Sequence, residues 1–377
     1  MRIAVLTLSL HTNYGGILQA FALQIILKRL GHEVVLIDKK KNFSSPIWRR
    51  PLSFIKRFIK RYVLGCKDYF LSSSKEAEYI YSVISKDIQP FIDSYIDIHY
   101  ISNFKDLDYR SYDAFIVGSD QVWRPSYFKN SFGYIGNAYF SFLKKYEVKK
   151  IAYAVSFGTD DWEYSQKETR ECKYWVSLFN KISVREKSAV EMCNKYFNVK
   201  ADLVLDPTFL LSMNDYKNLI LNKINKLNTY RGILLYILDE SEIKNEIIKN
   251  ISFLLKKECF SVNKHIKDVS LRNLDDKIKP SVEEWLAGFY NADFVITDSF
   301  HACVFSIIFN KPFCVFANKE RGTSRFDSLL EMFDLQERMI DFNYQEFISK
   351  PIDWETVNNK LYQLRDYSIS YLKEALS

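Results

Sequence analysis

The chain alternates buried-strand and helix patterns from its first residues onward, and this alternation constrains the fold more than any other feature. The segment "RIAVLTL" (residues 2–8) is apolar and β-branched enough for a buried strand. The helical pattern "ILQAFALQIILKRLG", which ends at Gly31, follows it and leads into a second strand pattern, "HEVVLID". A strand, a helix and a strand in this order form a βαβ unit, so the chain is predicted to build an open parallel sheet.

A second run of the same alternation predicts a second domain. Four more strand patterns follow the first unit, namely "YDAFIVG", "KKIAYAVSF", "KISVRE" and "ADLVLDPTF". A polar stretch rich in Asn and Lys then interrupts the pattern, which restarts with "GILLYIL". A chain of 377 residues also exceeds a typical single core. We therefore predict an N-terminal domain over residues 1–226, a C-terminal domain over residues 227–352, and a helix over residues 353–377 that packs back on the first domain.

Composition and charge exclude several classes of protein. Apolar residues make up 47% of the chain and charged residues 26%, which predicts a globular protein without long disordered regions. No stretch of about 20 apolar residues is present, so no membrane span is predicted. The net charge of +7 favours acidic small molecules or an anionic surface as partners, and not nucleic acid. Six scattered cysteines without CxxC pairs predict reduced thiols in a cytoplasmic protein and no structural zinc.

Two polar turns follow buried strands, one in each predicted domain. The segment "TDSFHACVFSII" places His301 where a strand ends and a helix begins, and "YDAFIVGSDQVW" places Asp120 directly after its strand. Ligands of open parallel sheets bind at the carboxyl ends of the strands, so we expect His301 and Asp120 to face each other across a cleft. The alternatives are a histidine in a helical turn capped by Asp298 or Ser299, and an Asx turn or helix cap at Asp120.

A third polar turn, "HTNYGG", precedes the first helix. Backbone amides at the start of a helix bind anions, and glycines let the main chain approach a ligand closely. The turn lacks both the G-x-G-x-x-G spacing of a dinucleotide site and the Gly-Lys-Ser/Thr of a P-loop. We interpret Asn13, Tyr14 and Gly15 as contacts to a sugar or to a donor substrate, with simple turn chemistry as the alternative.

Several segments, taken in chain order, resemble the polysaccharide pyruvyl transferase family. They are "NYGGILQAFAL", "VGSDQVWRP", "YAVSFGT", "ISVREKSAVE", "LVLDPTFLL" and "ITDSFHACVFSIIFNKPFCVFAN" followed by "SRFDSLL". The resemblance spans almost the whole chain, and the shared order is far more specific than any single motif. It implies an α/β fold of two Rossmann-like domains with parallel sheets facing a cleft, as in glycosyltransferase-B enzymes. It also implies transfer of the pyruvyl group of phosphoenolpyruvate onto two hydroxyls of one sugar, which forms a cyclic ketal.

This reaction assigns roles to the two residues of the facing turns. Phosphoenolpyruvate must gain a proton on its methylene carbon, and a histidine with a pKa near neutrality suits this role, so we assign the general acid to His301. Asp120 is the candidate base for the sugar hydroxyl, with Gln121 beside it as a substrate contact. No spacing of His and carboxylate residues indicates a metal site, and no cofactor is expected besides the donor itself.

The trianionic donor also requires cations for its phosphate and carboxylate. Arg185 in "SVRE" follows a predicted strand and is a candidate, with an ion pair to Glu186 or Glu191 as the alternative. Many family members resemble an Arg-containing form of the turn before the histidine, where this chain has Ser299 and Phe300. Ser299 is kept as a candidate substrate contact.

The segment "KERGTSRF" offers two arginines in place of the absent one. Arg321 and Arg325 both lie just beyond a predicted strand, and position favours Arg325. The alternative is a surface loop with solvated charges. In "LDPTF", Asp206 precedes a proline and is interpreted as a structural turn.

Two other function classes share some of these features. A nucleotide-sugar-dependent glycosyltransferase would have the same architecture and could use Asp120 as its base, but it needs a ribose-binding carboxylate in the second domain. A non-catalytic glycan-binding protein is the third option, and the convergence of an acid with cations weighs against it.

Residues 49–65, "RRPLSFIKRFIKRYVLG", show the pattern of an amphipathic helix with a basic face. Such a helix can lie at an anionic membrane surface, where each Lys or Arg contributes about 1 kcal/mol. This location would hold a cytoplasmic enzyme near a lipid-linked glycan acceptor at the inner face of the membrane. The alternative is a helix packed on its own domain with a solvated basic face.

Overall fold

The computed structural model of the chain describes residues 1–40, 43, 72–144, 146–223, 230–263, 274–317, 323–340 and 344–377. The amphipathic segment at residues 49–65 and the candidate Arg321 lie outside the described residues.

The first domain is built on a sheet of seven parallel strands. They are β1 (Arg2–Leu6), β2 (Glu33–Lys39), β3 (Ile98–Ile101), β4 (Ala114–Gly118), β5 (Lys149–Val155), β6 (Lys181–Val184) and β7 (Asp202–Leu203). The order across the sheet is β3-β2-β1-β4-β5-β6-β7. The order reverses between β1 and β4, which is where ligands bind in open α/β sheets.

The second domain contains a smaller parallel sheet of four strands. They are β8 (Ile233–Tyr236), β9 (Cys259–Phe260), β10 (Phe294–Thr297) and β11 (Phe313–Val315). The order is β11-β10-β8-β9, and it reverses between β8 and β10. The predicted fold of two Rossmann-like domains with parallel sheets, in the glycosyltransferase-B arrangement, is confirmed.

Helices connect the strands of both sheets. The α-helices are α1 (Tyr14–Arg29), α2 (Ser73–Ile84), α3 (Gln89–Tyr95), α4 (Pro125–Phe132), α5 (Gln166–Val176), α6 (Lys187–Met192), α7 (Met213–Lys223), α8 (Glu242–Leu255), α9 (Val282–Asn291), α10 (Phe300–Ile308), α11 (Ser324–Met332), α12 (Tyr344–Ile348) and α13 (Trp354–Leu376). A short 3₁₀ helix, Pro207–Leu210, follows β7. None of the helices among the described residues is long and apolar enough to cross a membrane.

Both faces of the large sheet are buried, as the sequence of β1 requires. Ile3 and Val5 belong to one apolar cluster, whereas Ala4 and Leu6 belong to another. Successive side chains of a strand point to opposite faces, so an uninterrupted apolar strand needs cover on both sides. This explains why β1 is apolar throughout and does not alternate with polar residues.

The C-terminal helix α13 lies against the first domain. The Ser368 hydroxyl accepts a hydrogen bond from the Leu205 amide at 3.1 Å, and Arg365 Nε donates to the Phe209 carbonyl at 2.6 Å. Because Leu205 and Phe209 flank Asp206, the helix braces the turn that carries this carboxylate.

Candidate active site

Asp120 lies at the carboxyl end of β4, at the strand-order reversal of the first sheet. Its backbone is left-handed, with φ of 60°, a conformation that Asp adopts more readily than most residues. The turn is held because the Ser119 amide donates to Gln19 Oε1 at 3.0 Å and the Ser156 amide donates to the Asp120 carbonyl at 3.0 Å. The Asp120 side chain is therefore fixed at the edge of the sheet.

Arg185 follows β6 and joins three carboxylates. Its Nη1 donates to Asp206 Oδ2 at 2.7 Å, its Nη2 donates to Asp120 Oδ1 at 3.3 Å, and its Nε lies 3.7 Å from Glu186 Oε2. The Ser119 hydroxyl lies 3.0 Å from the same Asp206 oxygen. The Arg185 side chain has no exposed surface. The carboxylates thus surround the guanidinium, and the alternative of an ion pair with Glu186 is present, while the contact to the donor stays a prediction.

The charges of this cluster depend on one another. Burial acts to raise the pKa of Asp206, but Arg185, His301 and the bonds from Thr208 outweigh it and hold this pKa below its usual range. For Glu186, burial is the larger effect and raises the pKa in spite of Arg185. The carboxylates in turn raise the pKa of Arg185, against the effect of burial. Asp206 is thus a permanent anion beside a permanent cation.

His301 reaches this cluster from the second domain. It stands in the first turn of α10, directly after β10, and only 8% of its surface is exposed. Its Nε2 lies 3.9 Å from Asp206 Oδ2 and makes no hydrogen bond to the described residues. On its other side the imidazole packs against Gly15 of α1. The structure therefore connects His301 to Asp120 through Asp206 and Arg185.

The protonation of His301 depends on what occupies the cleft. Burial lowers its pKa, an effect that Arg185 and Arg325 reinforce and that Asp206 and Asp120 oppose. The imidazole is therefore neutral at neutral pH in the protein without substrate. An anion bound beside Nε2 would raise this pKa and favour the imidazolium.

Arg325 is buried and belongs to helix α11, so at this residue the arginine is not a solvated surface charge. Burial and the neighbouring Arg185 lower its pKa to about 10, which leaves it charged at neutral pH. Phe300 lies in the turn where the resemblance implies an arginine. Its ring covers the guanidinium of Arg185, whose central carbon lies 4.5 Å from the ring centroid. The two arginines thus place positive charge beside His301.

The remaining predicted contacts have different positions. Tyr14 is fully buried, stacks on Trp285 at 5.2 Å and donates to the Pro280 carbonyl at 2.7 Å. These partners place Tyr14 between the domains, and its contact to a substrate stays a prediction. Asn13 is exposed and lines a cavity of about 230 Å³ beside Asp120.

The turns after β4 and β10 also differ in detail from the expected caps. Gln121 Oε1 accepts from Arg124 at 3.1 Å, and the side chain packs on Gly158. Ser299 occupies the N-cap position of α10, but its side chain makes no capping bond. The Asp298 carboxylate accepts instead from the Leu238 and Asp239 amides, in the loop after β8.

Sequence reasoning underestimated Asp206 and missed Ser119 and Lys279. Asp206 does form the predicted turn, since Oδ1 accepts from the Thr208 amide at 3.0 Å, but its second oxygen binds Arg185. Its position at a strand end, the same as that of Asp120, was the available signal. Lys279 Nζ lies 3.3 Å from the Thr12 carbonyl, and burial lowers its pKa. No sequence pattern marked this lysine, because only the docking of the domains brings it to the N-terminal turn.

Among the residues that the structure describes, no group of three or more His, Cys, Asp or Glu side chains is placed to hold a metal ion.

A fold of two parallel-sheet domains, in which a histidine of the second domain faces carboxylates and an arginine of the first, defines an enzyme of glycosyltransferase-B-like architecture. The chain belongs to the polysaccharide pyruvyl transferase family, whose family model matches residues 13–320. The matched range includes Asp120, Arg185, Asp206 and His301 and ends before Arg325.

Solved structures with overall similarity include MurG of Acinetobacter baumannii, which is 8% identical, covers 99% of this chain and 94% of its own, and has a TM-score of 0.43. UGT89C1 of Arabidopsis thaliana, complexed with UDP-L-rhamnose, is 8% identical over 98% of both chains, with a TM-score of 0.48. UDP-GlcNAc 2-epimerase of Neisseria meningitidis, bound to UDP-GlcNAc, is 10% identical over 100% of this chain and 94% of its own, with a TM-score of 0.45. No curated protein sequence matches the chain.

The contact between Gly15 and His301 predicts a large effect of one added methyl group. A Cβ atom at Gly15 would lie 2.1 Å from His301 Nδ1, so Gly15→Ala must displace the imidazole. Because a misplacement of about 1 Å costs roughly 10²-fold in rate, we expect a loss of that order in turnover. The position of the ring can be checked by the NMR signals of the His301 imidazole.

Gly16→Ala is the matched control, since it adds the same methyl group one residue later in the same helix. Its Cβ would meet Asn13 at 3.4 Å and Asp120 at 3.7 Å, which are ordinary contacts. We expect the His301 signals to shift in the Gly15 variant and to stay in place in the Gly16 variant. Unchanged His301 signals in both variants would contradict the close packing.

Proposed function

We propose that this enzyme transfers the pyruvyl group of phosphoenolpyruvate onto two hydroxyls of one sugar residue in a glycan or glycan precursor. The observation that carries the proposal is the buried His301 Nε2, which lies 3.9 Å from Asp206 and makes no hydrogen bond to the described residues. A buried ring nitrogen held in this way between two domains is available to a substrate. The family indicates the type of reaction, and the positions of His301 and Asp120 indicate their roles in it.

The first step is addition of a sugar hydroxyl to the donor. His301 gives its proton to the methylene carbon of phosphoenolpyruvate, and the adjoining carbon becomes electrophilic. The hydroxyl oxygen forms a bond to this carbon while its proton passes to Asp120. In the second step the carbon–oxygen bond to phosphate breaks, and inorganic phosphate leaves with the proton held by Asp120. The second hydroxyl then adds to the same carbon, and its proton returns to His301. The products are the cyclic ketal and phosphate, and no oxidant or reductant is needed.

The charges around His301 couple its protonation to donor binding. Arg185 and Arg325 both lie close enough to lower the pKa of His301, and Asp120 and Asp206 are bonded to Arg185. A trianionic donor bound beside Nε2 adds negative charge and raises the pKa of His301. The general acid is therefore formed when the donor binds, which limits the loss of its proton to water in the empty site.

Phosphate release and product mass together test the proposal. The purified protein is incubated with phosphoenolpyruvate and a pool of glycans or lipid-linked glycan precursors. We expect phosphate release that requires an acceptor, and a product heavier by one pyruvyl ketal. Nucleotide sugars, offered to the same pool, are expected to give no product. Glycosyl transfer from a nucleotide sugar, without ketal formation from phosphoenolpyruvate, would contradict the proposal and support the glycosyltransferase alternative.

A further inference from the structure

We propose that the cavity beside Asp120 is the binding subsite for a single uncharged pyranose ring. The proposal rests on the proposed function, since it assigns the acceptor side of the same site. The cavity has a volume of about 230 Å³ and lies between the N-terminal turn and helix α4. Pockets for drug-sized ligands measure about 300–1,000 Å³, so this cavity suits one sugar ring better than a nucleotide or a longer glycan segment.

The polar lining matches the chemistry of sugar hydroxyls. Hydroxyl and amide side chains both donate and accept hydrogen bonds, as each sugar hydroxyl requires. The lining supplies two of each kind, Ser9, Asn13, Asn130 and Ser131. They come from the N-terminal turn on one side and from helix α4 on the other, so a ring between them would be held from two sides.

Tyr127 supplies an apolar surface in the same cavity. Its side chain lines the cavity and is 38% exposed. The Arg124 guanidinium lies 4.6 Å from the Tyr127 ring centroid and is itself held by Glu163 at 2.8 Å. The tyrosine ring is thus fixed before a ligand arrives, which lowers the entropic cost of stacking a sugar ring on it.

Asp120 connects this cavity to the reacting centre. Its Oδ1 accepts from Arg185, whereas its Oδ2 lies 3.7 Å from the position of a Cβ atom at Gly16, which is part of the cavity wall. One oxygen of the carboxylate is therefore held by the protein, and the other lies at the cavity. A hydroxyl of the bound ring would meet this second oxygen as its base.

The charge of the lining indicates that the sugar is uncharged. Among the described residues, no Lys or Arg lines the cavity, whose carboxylate is Asp120 and whose imidazole is His11. A uronic acid or a sugar phosphate would bring a second negative charge close to Asp120 without a Lys or Arg in the lining to balance it. The subsite therefore favours a neutral hexose or N-acetylhexosamine.

Binding and turnover are measured separately on defined probes. The probes are the methyl pyranosides of glucose, galactose, mannose and N-acetylglucosamine, and the methyl glycosides of glucuronic and galacturonic acid. Saturation-transfer NMR reports binding without the donor, and phosphate release from phosphoenolpyruvate reports turnover. We expect at least one neutral glycoside to bind, with the uronides at least about tenfold weaker. Failure of every neutral glycoside to bind the unsubstituted protein, or equal binding of the uronides, would overturn the proposal.

Two variants locate the site. Tyr127→Ala and Asn130→Ala are each expected to weaken sugar binding by about tenfold or more, the typical effect of truncating a well-packed contact residue. Tyr127→Phe keeps the ring and is expected to retain most of the binding. The matched control is Tyr174→Ala, which removes a tyrosine that is 47% exposed on helix α5, outside the cavity. In turnover, the variants at Tyr127 and Asn130 should raise the acceptor KM and leave the KM for phosphoenolpyruvate unchanged.

The outcomes separate this inference from the proposed function. If sugar binding depends on Tyr127 but phosphoenolpyruvate is never consumed, the subsite is correct and the proposed reaction is wrong. If phosphoenolpyruvate is consumed and neither variant changes acceptor binding or acceptor KM, the reaction is correct and the subsite is overturned.

Discussion

His301→Ala is expected to lower the rate of pyruvyl transfer by roughly 10²–10⁴-fold, the typical loss for a general acid, while the protein stays folded. The imidazole is buried next to Asp206, and its Nε2 makes no hydrogen bond to the described residues, so the substitution breaks no hydrogen bond at this atom. The loss should therefore appear in kcat while the protein still unfolds cooperatively, although the cavity left by the ring also lowers the free energy of unfolding. The measurement is acceptor-dependent phosphate release together with urea unfolding.

His32→Ala is the matched control for this substitution. His32 follows helix α1 at the opposite end of the first sheet, and its side chain is half-buried. We expect its removal to leave the rate unchanged. Equal turnover of the His301 variant and the unsubstituted protein would rule out His301 as the acid.

The pH dependence offers a second check of the same assignment. The acid must be protonated, so activity is present below its pKa and lost as the pH rises through it. Burial lowers the pKa of His301 in the free protein from the ordinary 6.5, whereas a bound trianion raises it. As the pH rises, kcat should therefore fall at a higher pH than kcat/KM does. The reason is that kcat reports the pKa in the substrate complex, whereas kcat/KM reports the pKa in the free enzyme. If kcat and kcat/KM fall at the same pH, donor binding and the protonation of His301 are not coupled.

Arg185→Met is expected to reduce the free energy of unfolding by about 3–5 kcal/mol, the usual cost of removing one partner from a buried ion pair. The substitution leaves Asp120, Asp206 and Glu186 buried without their shared cation. Urea unfolding at neutral pH measures the loss. Arg170→Met removes an exposed arginine and should stay within about 0.5 kcal/mol of the unsubstituted protein.

The sign of the pH effect makes this prediction specific. Arg185 holds the pKa of Asp206 low, so its stabilising contribution is present above the ordinary Asp pKa and is lost as the pH falls. The difference in free energy of unfolding between the unsubstituted protein and Arg185→Met should therefore be largest near neutral pH and shrink in acid. Adding Asp206→Asn to Arg185→Met removes one of the unbalanced charges and should recover part of the stability. A double variant no more stable than Arg185→Met would contradict this account.

Much of the fold could be predicted because it depends on local pattern. The apolar strands, the helix that ends at Gly31 and the restart of the pattern after the polar stretch indicated two parallel-sheet domains, and both sheets are present. Polar residues directly after strands indicated Asp120 and His301 as candidates, since all strands of a parallel sheet end at the same edge. Nothing in the described residues tests the amphipathic segment at residues 49–65.

The partners of the charged side chains could not be predicted in the same way. Arg185 was expected to face a ligand, yet its guanidinium is bonded to Asp120 and Asp206, which lie 65 and 21 residues away in the chain. Tyr14 was expected to contact a substrate, yet it packs between the domains on Trp285. Such contacts depend on which strands are neighbours and on how the domains dock, and no local periodicity encodes either.

The sequence by itself determined the class of fold, the family and the two turns that carry Asp120 and His301. Each of these depends on a short-range property, namely side-chain period, turn chemistry or motif order. Only the tertiary structure decided that Asp206 belongs to the centre of the site and that Gly15 packs against the imidazole. It also decided that the pKa of His301 is lowered. The physical reason is that burial and electrostatic interaction depend on distances in space, which the chain acquires only when its two domains close on each other.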